Sequence, residues 1–175
     1  MKKILPFLAL SVLAACSSDK EAASSDAIMS NDFESVVGWV PDASTISKDH
    51  AHSGAYALKV DPSHEFSLTY NTVLGNVTAR KPRGVKLEAW AYLNSAQSAG
   101  KLGLVVVPPG ENAQNVVGDG IELSEVKDFK KWVKVSKEIV FPASVQSDYI
   151  LKVFLWRGAA SEPVYIDDLK LTALE

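Results

Sequence analysis

Apolar and polar residues alternate along most of the chain beyond residue 50. Phe66, Leu68 and Tyr70, for example, fall on one side of a segment whose other side is polar. A period of two is typical of a β-strand with one buried face. The pattern predicts strands in seven segments, 55–60, 66–72, 85–93, 102–107, 132–141, 149–156 and 164–172.

Glycine, proline and asparagine separate these segments, as expected for turns. The sequence predicts little helix beyond a turn at 124–129, and it shows no internal repeat. Many short strands joined by irregular loops indicate an all-β fold, an antiparallel β-sandwich.

Composition narrows the class of protein. The 175 residues suit one domain, and a formal net charge of −3 argues against a nucleic-acid partner. The chain has a single cysteine, Cys16, which excludes a fold held by disulfide bonds.

The first sixteen residues have the form of an export signal. Lys2 and Lys3 precede an apolar run at 4–12 and the sequence Leu-Ala-Ala-Cys at 13–16. This resembles the lipobox of bacterial lipoproteins, which implies cleavage after residue 15 and acylation of Cys16, with palmitate or a similar chain among the acyl groups. An ordinary signal peptide with an incidental cysteine is the alternative. Ser17 favours the outer membrane in enteric-type sorting.

Residues 16–27 are small and polar, so they are expected to form a flexible tether between the lipid and the domain. The folded domain is predicted to comprise residues 28–175.

Two predicted strands carry large aromatic residues opposite an apolar set. In 85–93 these are Trp90 and Tyr92, and in 149–156 they are Phe154 and Trp156. If the apolar sets fill the core, the aromatic residues form an outward surface suited to sugars, because flat rings stack on the apolar faces of pyranoses. The alternatives are that the tryptophans point inward or that a loop covers this surface.

The last predicted strand contains an acidic residue, Asp167, where the alternation with Tyr165, Leu169 and Leu171 predicts a buried side chain. A buried carboxylate needs a metal ion or hydrogen-bond donors. The partner of Asp167 is therefore expected to be either a calcium ion, which binds oxygen ligands, or backbone N–H groups.

The sequences at 31–34, 38–39, 46–47, 52–60 and 164–171 together resemble the galactose-binding-like jelly roll of CenC-type carbohydrate-binding modules. The resemblance implies a structural calcium ion held by Glu34, by the backbone near Ser53 and Gly54, and by Asp167, with Asp168 as the alternative.

The resemblance also implies a glycan either on the concave sheet face or in loops at one end. On the sheet face the aromatic residues would be Trp90, Tyr92 and Trp156. Their polar partners would be Lys86, Glu88 and Lys152. The loop site would use Trp39, His50, His52 and the segment 108–131.

Catalysis has little support in the sequence, which lacks a nucleophile elbow. A zinc site made of His50, His52 and His64 is possible but lacks a general base. Two functions remain, neither of them enzymatic. The first is a glycan-binding lipoprotein of the bacterial envelope; the second is a structural or protein-interaction module of the envelope without affinity for sugars.

Overall fold

The computed structural model describes residues 26–175. The expected signal peptide, Cys16 and most of the expected tether lie outside these residues. Within them, no helix is long and apolar enough to cross a bilayer. The strands are β1 (Ala27–Asn31), β2 (Ile46–Ser47), β3 (Ala57–Val60), β4 (Tyr70–Val73), β5 (Gly84–Leu93), β6 (Lys101–Val107), β7 (Val117–Glu122), β8 (Trp132–Val140), β9 (Ile150–Trp156) and β10 (Val164–Leu174).

The strands form two antiparallel sheets. The first sheet has the order β2-β3-β10-β5-β8, with β1 also paired to β10, and the second has the order β4-β9-β6-β7. β5 pairs with one edge of β10 along most of its length, while β3 and β1 share the other edge. The predicted antiparallel β-sandwich is therefore confirmed.

The core lies between the two sheets and is built from the alternating apolar residues that the sequence predicts. The buried side chains of the first sheet include Leu58, Val85, Leu87, Leu93, Ile166 and Leu171. Those of the second sheet include Leu102, Leu104, Val106, Leu151, Val153 and Leu155. Ala89 and Ala91 also face the core, so Trp90 and Tyr92 face outward.

The strands that the sequence did not predict are the shortest or the least regular. β2 has two residues, and β7 carries Gly118 and Gly120, which interrupt the apolar alternation. The turn expected at 124–129 is a single 3-10 turn at Leu123–Glu125, and a one-turn helix, α1 (Leu74–Val77), follows β4.

The expectation that Phe66 shares a buried face with Leu68 and Tyr70 is wrong. Phe66 is 52% exposed, and Ser67 is the buried residue of this segment. The Ser67 hydroxyl accepts a hydrogen bond from the Leu155 amide (2.9 Å), which places Ser67 inside and turns Phe66 outward.

A β-bulge in β10 changes which residues share a face. Asp167 pairs with Trp90 and Lys170 with Glu88, so β10 has one extra residue between these pairs, and Asp168 adopts a left-handed backbone (φ 47°). Tyr165 and Asp167 therefore lie on the outer face, whereas Leu169 and Leu171 face the core. The prediction that all four share one face is wrong, because strict alternation does not account for the extra residue.

Candidate functional site

Two clusters of aromatic side chains lie on opposite outer faces of the sandwich. Trp90 and Tyr92 belong to β5 in the first sheet, and Trp156 and Lys152 belong to β9 in the second. These residues therefore do not form the single surface that the sequence analysis expected. The two outer faces have to be considered separately.

The first cluster lies under a loop. His50 stacks on Tyr92, with ring centroids 4.1 Å apart, and His52 stacks on Trp90 at 4.0 Å. We call residues 49–53 the clasp and the side chains beneath it the clasped surface, namely Trp90, Tyr92, Trp132 and Tyr165. The clasp covers the ring faces on which a sugar would stack. This arrangement corresponds to the alternative that a loop covers the outward aromatic surface of β5.

Hydrogen bonds to β8 and β10 hold the clasp in place. The Trp132 indole N–H donates to the Ala51 carbonyl (3.1 Å). Asp168 lies 2.6 Å from the His52 Nδ1 atom and accepts a hydrogen bond from the Ser53 hydroxyl (2.7 Å). His52 is thus fixed both by ring stacking and by a carboxylate.

Asp167 is fully buried beneath the clasp. One carboxylate oxygen accepts hydrogen bonds from the amides of His52 (2.7 Å) and Ser53 (3.0 Å), and the other accepts one from the Asp168 amide (2.7 Å). Burial raises the pKa of Asp167, and the three N–H groups act in the opposite direction. Backbone N–H groups, which were one of the two alternatives for the partner of Asp167, therefore do donate to it.

Tyr165 and Asp49 complete the attachment at the start of the clasp. The Tyr165 hydroxyl lies 3.5 Å from Asp49, and Lys59 lies 3.3 Å from the same carboxylate. Burial and the nearby charge of Asp49 raise the pKa of Tyr165 to about 12. Tyr165 therefore stays neutral as part of the clasped surface.

Glu34 attaches the end of the same loop. Its Oε1 atom accepts hydrogen bonds from the amides of Ala55 and Tyr56, both at 2.8 Å. Gly54 has φ 59°, and an added Cβ there would lie 2.3 Å from the Glu34 carboxyl carbon. Only glycine suits both the backbone and the space at this position.

The predicted calcium ligands thus lie near one loop, and the carboxylates among them are hydrogen-bonded to backbone N–H groups. Calcium takes six to eight oxygen ligands. The carboxylates of Glu34 and Asp167 accept hydrogen bonds from N–H groups of the loop. Within residues 26–175, no group of three or more histidine, cysteine or acidic side chains is placed to hold a metal ion. Calcium stays a prediction.

The histidines of the zinc hypothesis also have other partners in the structure. His52 contacts Asp168, and His64 contacts Asp61 through its Nδ1 atom at 2.9 Å, so these two rings bind separate carboxylates. In the part of the chain that the structure describes, the three histidines do not form a metal cluster.

The other half of the first outer face is charged. Glu88 lies 3.0 Å from Lys86 and 3.6 Å from Lys134. Partial burial tends to raise the pKa of Glu88, but the hydrogen bond and charge of Lys86, together with Lys134, bring it below its usual value. Lys86 and Glu88, which were expected to bind sugar hydroxyls, are paired with each other.

The second aromatic cluster is open to solvent. Phe66 and Trp156 are 52% and 38% exposed, and their rings are nearly parallel with centroids 6.2 Å apart. Phe154 meets Phe66 edge to face at 5.7 Å. We call Phe66, Phe154 and Trp156 the open surface.

Neighbouring residues orient the rings of the open surface. The Trp156 indole N–H donates to Glu65 (3.2 Å). A Cβ at Gly103 would lie 2.7 Å from the Phe154 ring, so this glycine lets the ring lie against β6. Lys152 lies on the same outer face, two residues before Phe154 on β9. The open surface thus combines flat apolar rings with hydrogen-bonding groups.

Trp39 lies in the loop between β1 and β2. It is 88% exposed, and Val37 beside it is 39% exposed. Of the residues expected for a loop site, Trp39 is therefore free to bind, whereas His50 and His52 stack on the clasped surface.

The fold is similar to that of solved carbohydrate-binding modules. The C-terminal family 22 module of Clostridium thermocellum Xyn10B is 12% identical, with a TM-score of 0.53 over 86% of this chain and 94% of that one. A xylan-binding domain of family 22 is 14% identical, with a TM-score of 0.51 over 86% and 96%. The tandem family 22 domain of Paenibacillus barcinonensis Xyn10C is 16% identical, with a TM-score of 0.56 over 86% of this chain and 46% of that one.

These similarities establish the fold, which is the β-sandwich jelly roll found in carbohydrate-binding modules. No model of a protein family matches the sequence, and no curated protein matches it. The predicted jelly roll is confirmed, and the ligand has to be argued from the surfaces.

Proposed function

We propose that the protein is a non-catalytic glycan-binding module and that the open surface binds the sugar. The observation that carries this proposal is the exposure of Phe66 and Trp156 as nearly parallel rings on the outer face of the second sheet. Aromatic rings stack on pyranose faces, and groups such as Lys152 and Glu65 can bind hydroxyls. The similar structures support this proposal, since they are carbohydrate-binding modules and one is described as xylan-binding.

The position of the module in the cell is proposed from the sequence. A lipid on Cys16 would hold the domain at the bacterial envelope, with the outer membrane favoured by Ser17. Calcium near Glu34 and Asp167 is proposed as a stabilising ion that takes no part in binding the glycan.

Affinity electrophoresis tests the glycan proposal. The protein is run through gels that contain one polysaccharide each, from plant, algal and bacterial sources, and we expect at least one to retard it. Trp156→Ala and Phe66→Ala should each weaken retention about tenfold or more, because each removes a stacking ring.

The matched control is Val140→Ala, which shortens an apolar side chain that is 58% exposed on the first sheet. This variant should be retained like the unmodified protein. Retention that survives both Trp156→Ala and Phe66→Ala would contradict the open surface as the binding site.

The alternative function is a protein-interaction module without sugar affinity. The exposed pair Val37 and Trp39 favours it, because a large exposed apolar side chain beside another is common at protein interfaces. Trp39→Ala separates the two functions. If the protein uses this loop for a partner, the variant loses that partner in envelope pull-downs and keeps its glycan retention.

A further inference from the structure

Three basic residues project from one loop of the sandwich. Arg80, Lys81 and Arg83 lie between α1 and β5 and are exposed, whereas Pro82 among them is buried and fixes the loop to the sandwich. Among residues 26–175, none of the three forms an ion pair with a side-chain carboxylate. Lys81 donates to the carbonyl of Ala143 (2.6 Å), and Arg83 donates to the main-chain oxygen of Glu175 (3.2 Å). We call residues 78–83 the basic loop.

The basic loop lies at the end of the sandwich where β1 begins. Two acidic residues, Asp26 just before β1 and Glu175, line the same groove of about 500 Å³ as Arg80 and Lys81. Cys16 precedes Asp26 by ten residues. Ten residues can span at most about 35 Å, which limits how far the domain can lie from the lipid.

The charge of the basic loop is opposite to that of the protein as a whole, whose formal net charge is −3. A cluster of lysine and arginine near a membrane surface is attracted to anionic lipid headgroups, and each basic residue contributes about fivefold to binding. Attraction of this kind is limited to about a Debye length, roughly 8 Å, so it requires the loop to be held close.

We propose that the basic loop docks on the anionic headgroups of the membrane in which Cys16 is anchored. This inference rests on the proposed lipid anchor and is independent of glycan binding. In this orientation, the end of the sandwich that carries Asp26 and the basic loop faces the membrane.

This orientation has a consequence for the open surface. β9 begins at Ile150, which pairs with Val73 next to α1 and so lies at the end of the sandwich that carries the basic loop. Trp156 is the last residue of β9 and lies at the opposite end. Seven strand residues span about 20 Å. Docking therefore directs Trp156 away from the membrane.

Hydrogen exchange on vesicles tests the proposal. The full chain is purified from the membrane fraction of expressing bacteria and reconstituted into vesicles of phosphatidylcholine, alone or mixed with phosphatidylglycerol. The amides of Thr78 and Arg83 are already hydrogen-bonded within the sandwich, and Pro82 has no amide hydrogen. We expect the backbone amides of residues 79–81 to exchange about tenfold more slowly on the mixed vesicles, and high salt should remove the difference.

The variant R80Q/K81Q/R83Q should lose this protection. The matched control is K127Q/K130Q/K131Q, which removes the same charge from the loop before β8. This loop is at the opposite end of the sandwich, since the backbone amide of Lys130 donates to the carbonyl of Leu93 at the end of β5. The control should keep the protection of residues 79–81.

Equal exchange on both kinds of vesicle, or protection that the R80Q/K81Q/R83Q variant retains, would overturn the docking proposal and leave the anchor intact. Recovery of the protein only in the soluble fraction would overturn both the anchor and the docking. Neither result would affect retention by polysaccharide gels, so failure of the glycan proposal is distinguished from failure of this one.

Discussion

The clasped surface and the open surface have similar sequences and different environments. Trp90 and Tyr92 alternate with small core residues on β5, as Phe154 and Trp156 alternate with core residues on β9. Two histidines of a distant loop stack on the first pair, whereas Phe66 extends the second pair into an exposed surface. Alternation along a strand therefore determines which way a ring faces, and contacts from elsewhere in the chain determine whether the ring is available to a ligand.

The largest effect should come from removing the buried acceptor beneath the clasp. Asp167→Ala leaves the amides of His52, Ser53 and Asp168 without their acceptor. Since an unsatisfied buried donor costs about 1–3 kcal/mol, we expect the free energy of unfolding to fall by about 3 kcal/mol or more. Urea unfolding measures the change, with the exposed Asp148→Ala as control. A loss below about 1 kcal/mol would contradict the role of Asp167 in holding the clasp.

Chelation tests the calcium prediction at the same place. If calcium binds at Glu34 and Asp167, EDTA should lower the melting temperature, because an ion present at about 100 times its Kd stabilises the folded state by about 2.7 kcal/mol. The Asp167→Ala protein should then show no further change with EDTA. An unchanged melting curve of the unmodified protein would count against calcium and leave the hydrogen bonds as the attachment of the clasp.

Replacing one ring on each surface separates their roles. Trp90→Ala should lower the free energy of unfolding by about 2 kcal/mol, because it removes the ring on which His52 stacks. Trp156→Ala should cost less than about 1 kcal/mol, since that ring is 38% exposed. Thermal and urea unfolding of both variants check the difference. Equal losses would show that the open surface is as structural as the clasped one.

The smallest expected effect is on the free energy of unfolding at acidic pH. Hydrogen bonds from the Ser47 hydroxyl and from Lys59 hold the pKa of Asp49 below its usual value of 3.8. The folded state therefore binds a proton at Asp49 less tightly than the unfolded state does. The resulting stabilisation of the folded state is present above about pH 3.8 and is lost as the pH falls through the lowered pKa of Asp49. Asp49 is exposed, so the contribution should stay under about 1 kcal/mol.

Asp49→Asn checks this sign. Its unfolding free energy should fall less than that of the unmodified protein when the pH is lowered from about 5 to about 2.5. An identical fall in both proteins would contradict a stabilising contact of Asp49 at the start of the clasp.

The sequence predicted the fold because most strands carry a regular apolar alternation. Val85, Leu87, Ala89, Ala91 and Leu93 are buried as the pattern requires. The candidate site was predictable only in part, because the direction of Trp156 follows from alternation on β9 but the exposure of Phe66 depends on a hydrogen bond between Ser67 and Leu155. The clasp brings His50 and His52 onto β5 from a loop about forty residues earlier in the chain, and a local pattern contains no information on such a contact.

The bulge at Asp168 also bears on how insertions and deletions in β10 would be tolerated. Upstream of it the outer face holds Tyr165 and Asp167, and downstream the core receives Leu169 and Leu171. Deleting the single residue Asp168 would place Leu169 opposite Ala89 and keep every other residue of β10 on its present face. The deletion would instead remove the Asp168 contacts with His52 and Ser53 and the amide that donates to Asp167. Inserting one further residue at the bulge would be more damaging, because it shifts one half of the strand by one position and turns the side chains of that half to the opposite face.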